Sequence, residues 1–412
     1  MELGRPLTLR LAASGDDRTE QLPLPAGWDA RVYPMQDRPA LSDEQVARAF
    51  SEPVAAEPIS RAAKGATSAA ILVDDFRRPT PAERLCHLVI DELTAAGVPA
   101  AGITIVLGNG AHRPMNKQEV ARRLGGAMDR VGRVISHDAY SPEVTYVGMT
   151  SSGNPVLVNA AAAAADFSVT IGMVYPHRLT SWAGGAKMVL PGISHVSTIH
   201  YHHSRIGGGE WAGAPGKSRS RRDIEEAGRL FGLNVSLCAV INSGGQMCGL
   251  AVGEPTKAHA KAVALARRVG ATPIDPGPFD LAIVNAYPLD GDATQYTKAQ
   301  APALELNCPM LIINDFADPS TYHGLYDGPL GEYRKRPLPP LQEHTESLLM
   351  SARVFMYCPQ YGSGFLPPDR TWYCDSDWGR LVEAMARRFD RARVAVFPTA
   401  PLQLPAAAEG GK

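Results

Sequence analysis

The stretch Ala69–Gly97, AAILVDDFRRPTPAERLCHLVIDELTAAG, decides the fold. Ala69 to Val73 run apolar without a break and stop at Asp74-Asp75. A continuous run of this kind suits a strand buried on both faces, as in a parallel sheet. The acidic pair leads to Pro81, and a helical segment then runs to Ala96 with Gly97 behind it. Proline at the start and glycine past the end are helix punctuation.

The same pattern recurs outward from this unit. Ile103–Leu107 (ITIVL) ends at Gly108-Asn109-Gly110, and Phe167–Val174 (FSVTIGMV) ends at Tyr175-Pro176-His177. Leu281–Ala286, Met310–Ile313, Val354–Tyr357 and Val394–Phe397 are further strand candidates, and Glu254–Gly270 is a helix rich in alanine, lysine and arginine. Alternating strands and helices predict an α/β fold with mostly parallel sheets. At 412 residues the chain exceeds what one core ordinarily holds, so two domains are expected. The proline-rich segment GATPIDPGPFD, 270–280, marks the boundary: 1–270 an N-terminal α/β domain, 271–412 a C-terminal one, with the active site in the cleft between them.

Composition narrows the function class. The chain is 45% hydrophobic and 20% charged with net charge −1, which gives no basic surface for nucleic acid or membrane. The start, MELGRPLTLRLAASGDD, lacks a cationic stretch followed by an apolar core. The alanine run near 159–165 is too short to span a bilayer and meets Asp166. Six cysteines, at 86, 238, 248, 308, 358 and 374, form no C-x-x-C pair, which predicts reduced thiols in a cytoplasmic protein.

Chemistry collects just past the predicted strands, where open α/β sheets bind ligands. DDFRRPTP, 74–81, brings Asp75 and Arg78 before a helix start that favours anions. GNGAHRP, 108–114, projects His112 from a glycine turn. HRLTSWAGGAKMVLPG, 177–192, sets His177, Thr180, Gly184, Gly185 and Lys187 in one run. A lysine among small and apolar neighbours either snorkels to water or is used for chemistry. HVSTIHYHHS places His195, His200, His202 and His203 close together without the HExxH spacing of a zinc hydrolase. At helical spacing His195 and His202, or His200 and His203, would share a face. Gln295 and Lys298 in NAYPLDGDATQYTKAQ are three apart, which suits a joint grip on a carboxylate.

Five motifs in order, DDFRRPTP, GNGAHRP, PHRLTSWAGGAKMVLPGIS, the histidine cluster and NAYPLD…QYTK, span about residues 74 to 298. Together they resemble the nickel-pincer-nucleotide-dependent lactate racemase family. The resemblance implies an isomerase that inverts C2 of a 2-hydroxy acid by proton-coupled hydride transfer. Its cofactor, pyridinium-3,5-bisthiocarboxylic acid mononucleotide nickel, would be tethered to Lys187 through a thioamide. A pincer of one carbon and two sulfurs leaves one position for a histidine. His203 matches by its spacing from the lysine, beside His200 and His202. A square site with soft donors suits nickel. His112 and His177 would be bases on opposite faces of the substrate, with the nickel–carbon unit accepting hydride. Arg78 would steady the developing carbonyl and Asp75 orient its neighbours. Gln295 and Lys298 would bind the carboxylate, while Thr180, Gly184 and Gly185 would line the cofactor. Maturation enzymes would be needed as partners.

One departure points away from lactate: Thr294 stands where the lactate enzymes carry a tyrosine. A larger or more polar 2-hydroxy acid is expected. The basic loop YRKRP, 333–337, is a candidate for a second anionic group, and Trp372 and Trp378 are candidates for an aromatic residue lining the site. Three alternatives stay open: a sugar-acid C2 epimerase of the same chemistry, an inactive homologue that binds metal or anion, and a metal-free isomerase or lyase using Lys187 as a Schiff base.

Overall fold

The computed structural model describes residues 2–13, 15–207, 212–214, 216, 218–316, 325, 345–360 and 371–407. The loop 333–337 lies outside them. The chain divides into two compact units, one formed by Arg38–Arg267 with Tyr322–Lys335, the other by Met1–Asp37, Arg268–Thr321 and Arg336–Lys412.

The first unit is built on a six-stranded sheet. Its order is Met247–Gly253, Val235–Ile241, Phe167–Met173, Ala69–Asp74, Ile103–Gly108 and Arg133–Ser136. All neighbours are parallel except the first pair. The uninterrupted apolar run of the central strand has a direct cause. Ala69, Ile71 and Val73 enter the core that includes Leu85, Val89 and Leu93 of the helix Ala82–Ala95. Ala70 and Leu72 enter the opposite core, with Val189, Leu190, Ile224 and Ala227. With both faces covered, none of the positions from Ala69 to Val73 is left for a polar side chain, and each fully buried branched aliphatic contributes about 1.5–3 kcal/mol.

The second unit carries an all-parallel six-stranded sheet ordered Tyr373–Asp375, Val354–Tyr357, Met310–Ile313, Leu281–Asn285, Ala392–Phe397 and Trp28–Val32. The last strand corrects the division at 1–270 and 271–412. The change of unit falls between Arg267 and Arg268, but Met1–Asp37 belongs with the C-terminal part. The reason is pairing: Trp28–Val32 adds to the sheet edge beside Ala392–Phe397, and Trp28 Nε1 donates to Phe389 O at 2.7 Å. The hairpin Leu7–Leu11 and Arg18–Leu22 packs its leucines into the same core.

All six cysteines are free thiols buried in the structure. Among the described residues no helix is long and apolar enough to cross a membrane.

Candidate functional site

The site in the first unit grows from the ends of three neighbouring parallel strands. Asp74 closes the central strand. Its carboxylate accepts from Thr80 Oγ1 at 2.6 Å and from the Met173 amide at 3.2 Å, and it pairs with Arg123. Arg123 also donates to three carbonyls, Asp74 O at 3.1 Å and Arg78 O and Thr80 O at 2.8 Å each. One guanidinium thus clamps the loop 74–80. Burial pushes the Asp74 carboxyl up, and Arg123 opposes that shift.

Asp75, the next residue, accepts from His112 Nδ1 at 2.8 Å and Arg77 Nη1 at 3.1 Å. Burial works against its charge, yet Arg78 above all, then the His112 hydrogen bond and Arg77, holds the carboxyl well below the usual range. An ionised Asp75 accepts only, so His112 carries its proton on Nδ1 and presents Nε2 as the basic nitrogen. The Arg78 guanidinium lies 5.6 Å over the ring of buried Tyr175, whose centroid is 6.1 Å from that of His177.

His177 sits on a short antiparallel pair, Pro176–His177 with Ser181–Trp182. Thr180 lies across this turn. Its hydroxyl donates to Trp182 O at 2.9 Å and lies 3.2 Å from His177 Nδ1. The Leu179 amide donates to the same Nδ1 at 3.3 Å. His177 Nε2 lies 2.8 Å from Lys187 Nζ. Thr180, expected against a cofactor, lies against His177.

The glycines before Lys187 answer to the chain itself. Gly184 has φ +86°, and a Cβ there would stand 2.7 Å from Val174 Cγ2 and 2.9 Å from Met173 O. A Cβ on Gly185 would stand 3.0 Å from Arg221 Nη2. These clashes within the protein are sufficient reason for Gly-Gly, whatever approaches from outside.

The four histidines separate clearly. His195 caps the helix Val196–Tyr201, accepting from the Ser197 amide, and His200 is exposed. His202 is fully buried against Ser220, and His203, half-buried like His195, sets Nδ1 on the Ile199 carbonyl at 3.0 Å. His195 precedes the helix as its N-cap, and His202 turns to His203 rather than to His195. Among the described residues no three His, Cys, Asp or Glu side chains converge as a metal site.

In the second unit Gln295 ends a 3-10 turn and Lys298 lies in the helical turn Tyr296–Ala299. Lys298 Nζ contacts Gln295 Oε1. Asp292 accepts from Gln295 Nε2 at 3.0 Å and from Thr294 Oγ1 at 2.6 Å. Trp372 meets Tyr296 edge-on at 5.2 Å. Trp378 is a core residue donating to Pro23 O, which removes it as a site candidate.

Comparison with known proteins bears on this constellation. Residues 16–212, which include His112, His177, Lys187 and His203, match the family model described as the lactate racemase N-terminal domain. The matched segment is a little under half of the chain. The lactate racemase of Thermoanaerobacterium thermosaccharolyticum is 26% identical over 69% of this chain and 69% of its own length. That of Lactiplantibacillus plantarum is 24% identical over 64% of this chain and 63% of its own. The solved lactate racemase apoprotein from T. thermosaccharolyticum superposes with TM-score 0.73 at 20% identity, covering 97% of this chain and all of that one. A Thermotoga maritima protein gives TM-score 0.64 at 15% identity, covering 90% and 99%. The chain shares with the solved apoprotein an α/β fold with mostly parallel sheets.

Sequence reasoning missed Arg123, Tyr175 and the contact of Thr180 with His177. Arg123 reads as one more charge on an amphipathic helix, and nothing nearby in sequence reports the carbonyls it collects.

Proposed function

We propose that the protein inverts C2 of a 2-hydroxy acid, with His112 and His177 as the two bases and Lys187 as the tether of a nickel pincer nucleotide. The observation that carries the reading is the pair of anchored histidines that follow the two strands flanking Ala69–Asp74. His112 is held at Nδ1 by Asp75, which leaves Nε2 for proton transfer, and His177 is held at both nitrogens, Nδ1 by the Leu179 amide beside Thr180 and Nε2 by Lys187 Nζ. A racemase needs one such base for each face of a planar 2-keto acid.

The residues fit the carrier. A pincer brings three donors and asks the protein for one, and His203, with Nδ1 on a carbonyl, has its lone pair on Nε2. Lys187 supplies an amine on a rigid turn beside His177. When bound, the nickel carrier would take and return hydride at C2. The protein groups do the rest. His112 or His177 takes the hydroxyl proton, and Arg78 lies beside His112's partner Asp75 to stabilise charge on the oxygen. Gln295 and Lys298 would bind the carboxylate, with Asp292 fixing the amide so that Oε1 faces Lys298. Thr294, its hydroxyl turned to Asp292, is a smaller side chain than the tyrosine the resemblance implies there, which favours an acid larger than lactate, a sugar acid among them.

The test is co-expression with the maturation enzymes that build the nucleotide, followed by intact mass, nickel analysis and chiral chromatography of a panel of 2-hydroxy acids. A covalent adduct on Lys187, with one acid racemised, supports the reading. A bare lysine, where a lactate racemase prepared in parallel is loaded, sinks it.

A further inference from the structure

The run Tyr201-His202-His203 departs from α-helical geometry. Val196–Tyr201 is an α-helix, but His202–Ile206 winds as a π-helix, and the Gly207 amide reaches back five residues to His202 O at 2.7 Å. Adjacent residues on an α-helix do not face each other, and short π segments occur often at functional sites. Here the rings of His202 and His203 meet edge-on, centroids 5.1 Å apart and planes at 68°, with their Nδ1 atoms 3.2 Å apart.

The proton positions follow from which partners only accept. A carbonyl donates nothing, so His203 Nδ1, 3.0 Å from Ile199 O, carries a proton. His202 Nδ1, facing that N–H, therefore accepts. The His202 proton then sits on Nε2, 3.3 Å from Ser220 O and 3.0 Å from Ser220 Oγ. The opposite assignment would aim Nδ1 lone pairs at Ile199 O and Nε2 at Ser220 O. The four contacts are mutually consistent in one arrangement.

We propose that His202 is a positioning residue that selects the Nδ1–H tautomer of His203, so that the lone pair able to ligate the nickel carrier lies on Nε2. The ligand part rests on the function proposed above; the tautomer part concerns the chain alone. Outer partners of ligating histidines commonly fix tautomer and ring orientation in this way. Here the partner is itself an imidazole, seated on the first turn of the helix Arg219–Phe231.

The experiment is a long-range proton–nitrogen correlation spectrum of the cofactor-free protein labelled at histidine nitrogen, with His203→Gln assigning the His203 signals. The expected result is a protonated Nδ1 and bare Nε2 on His203, and the reverse arrangement or a mixture in His202→Phe. His202→Asn, whose Oδ1 can accept near the place of Nδ1, should restore the wild-type pattern. Because His202 is buried, near-ultraviolet circular dichroism checks the fold of each variant, and the wild-type spectrum decides the point even if His202→Phe does not fold. On loaded protein, nickel should leave to EDTA ~10–100-fold faster in His202→Phe than in wild type or His202→Asn. A bare Nδ1 in wild type, or a His202→Phe protein with unchanged tautomer and nickel release, overturns the proposal. Absence of nickel and adduct from co-expressed wild type overturns the proposed function instead, and the spectrum still decides the tautomer.

Discussion

Lys187 Nζ lies 2.8 Å from His177 Nε2, so the amine proposed as tether and the nitrogen proposed as base share one hydrogen bond. The two roles are separable by mutation. Lys187→Ala should abolish the covalent adduct seen by intact mass. His177→Ala and His112→Ala should keep it and lose about 10²–10⁴-fold in racemisation rate, measured by chiral chromatography. Near-wild-type turnover in either histidine variant would remove that residue as a base.

Asp75 holds His112 by its carboxylate, and an amide can hold it by the wrong end. Asp75→Asn should therefore cost about 10²-fold or more in rate. It also changes the pH dependence of stability. The folded carboxyl lies below its unfolded value near 4, so its contribution is complete above that value and is lost as pH falls through the folded value. Urea midpoints from neutrality down to about pH 3 should fall more steeply in wild type than in Asp75→Asn.

Arg123 and Asp74 form a buried pair that also ties down the loop 74–80. Arg123→Met should cost about 3–5 kcal/mol, because it leaves a carboxylate in a buried place without its cation. Made in an Asp74→Asn background, the same change should cost less, with a coupling of about 0.5–3 kcal/mol in urea titrations. Additive losses would mean that the three carbonyl contacts of Arg123, not the charge pair, carry its effect.

Gly184→Ala should destabilise by about 1–3 kcal/mol, since φ +86° strains an L side chain and its Cβ meets Val174 and the Met173 carbonyl. Val174→Ala in the same chain should not restore the melting temperature, because the backbone oxygen remains. Loading of Lys187, three residues on, should fall with it by intact mass.

Thr294→Tyr places a phenol where the lactate enzymes carry one. On the proposed function, kcat/KM for lactate relative to the preferred acid should rise about tenfold, the scale of one methylene-sized change in a pocket. An unchanged ratio would place the specificity elsewhere.

Much of the frame was legible in local sequence. Met310–Ile313 and Val354–Tyr357 are strands over the spans their apolar runs indicate, and Pro81 and Gly97 bracket the helix Ala82–Ala95. Strands with mixed patterns were not read: Arg133–Ser136 is exposed or half-buried throughout, as an edge strand can be. Val235–Ile241 is wholly buried, but serine and cysteine interrupt its aliphatic run. The candidate residues too were visible by type, since a lysine after two glycines and a dense set of histidines stand out in any chain.

What the sequence determined by itself was therefore the α/β class and the identity of most candidate groups, because side-chain period and turn chemistry act over a few residues. Tertiary structure alone decided how those groups are used. Asp75 and His112 are 37 positions apart, Asp74 and Arg123 are 49, and Trp28 finds Phe389 across 361. Whether a histidine presents Nδ1 or Nε2 depends on which acceptor the fold sets against the other nitrogen, and for His203 that acceptor is reached only through a π-turn.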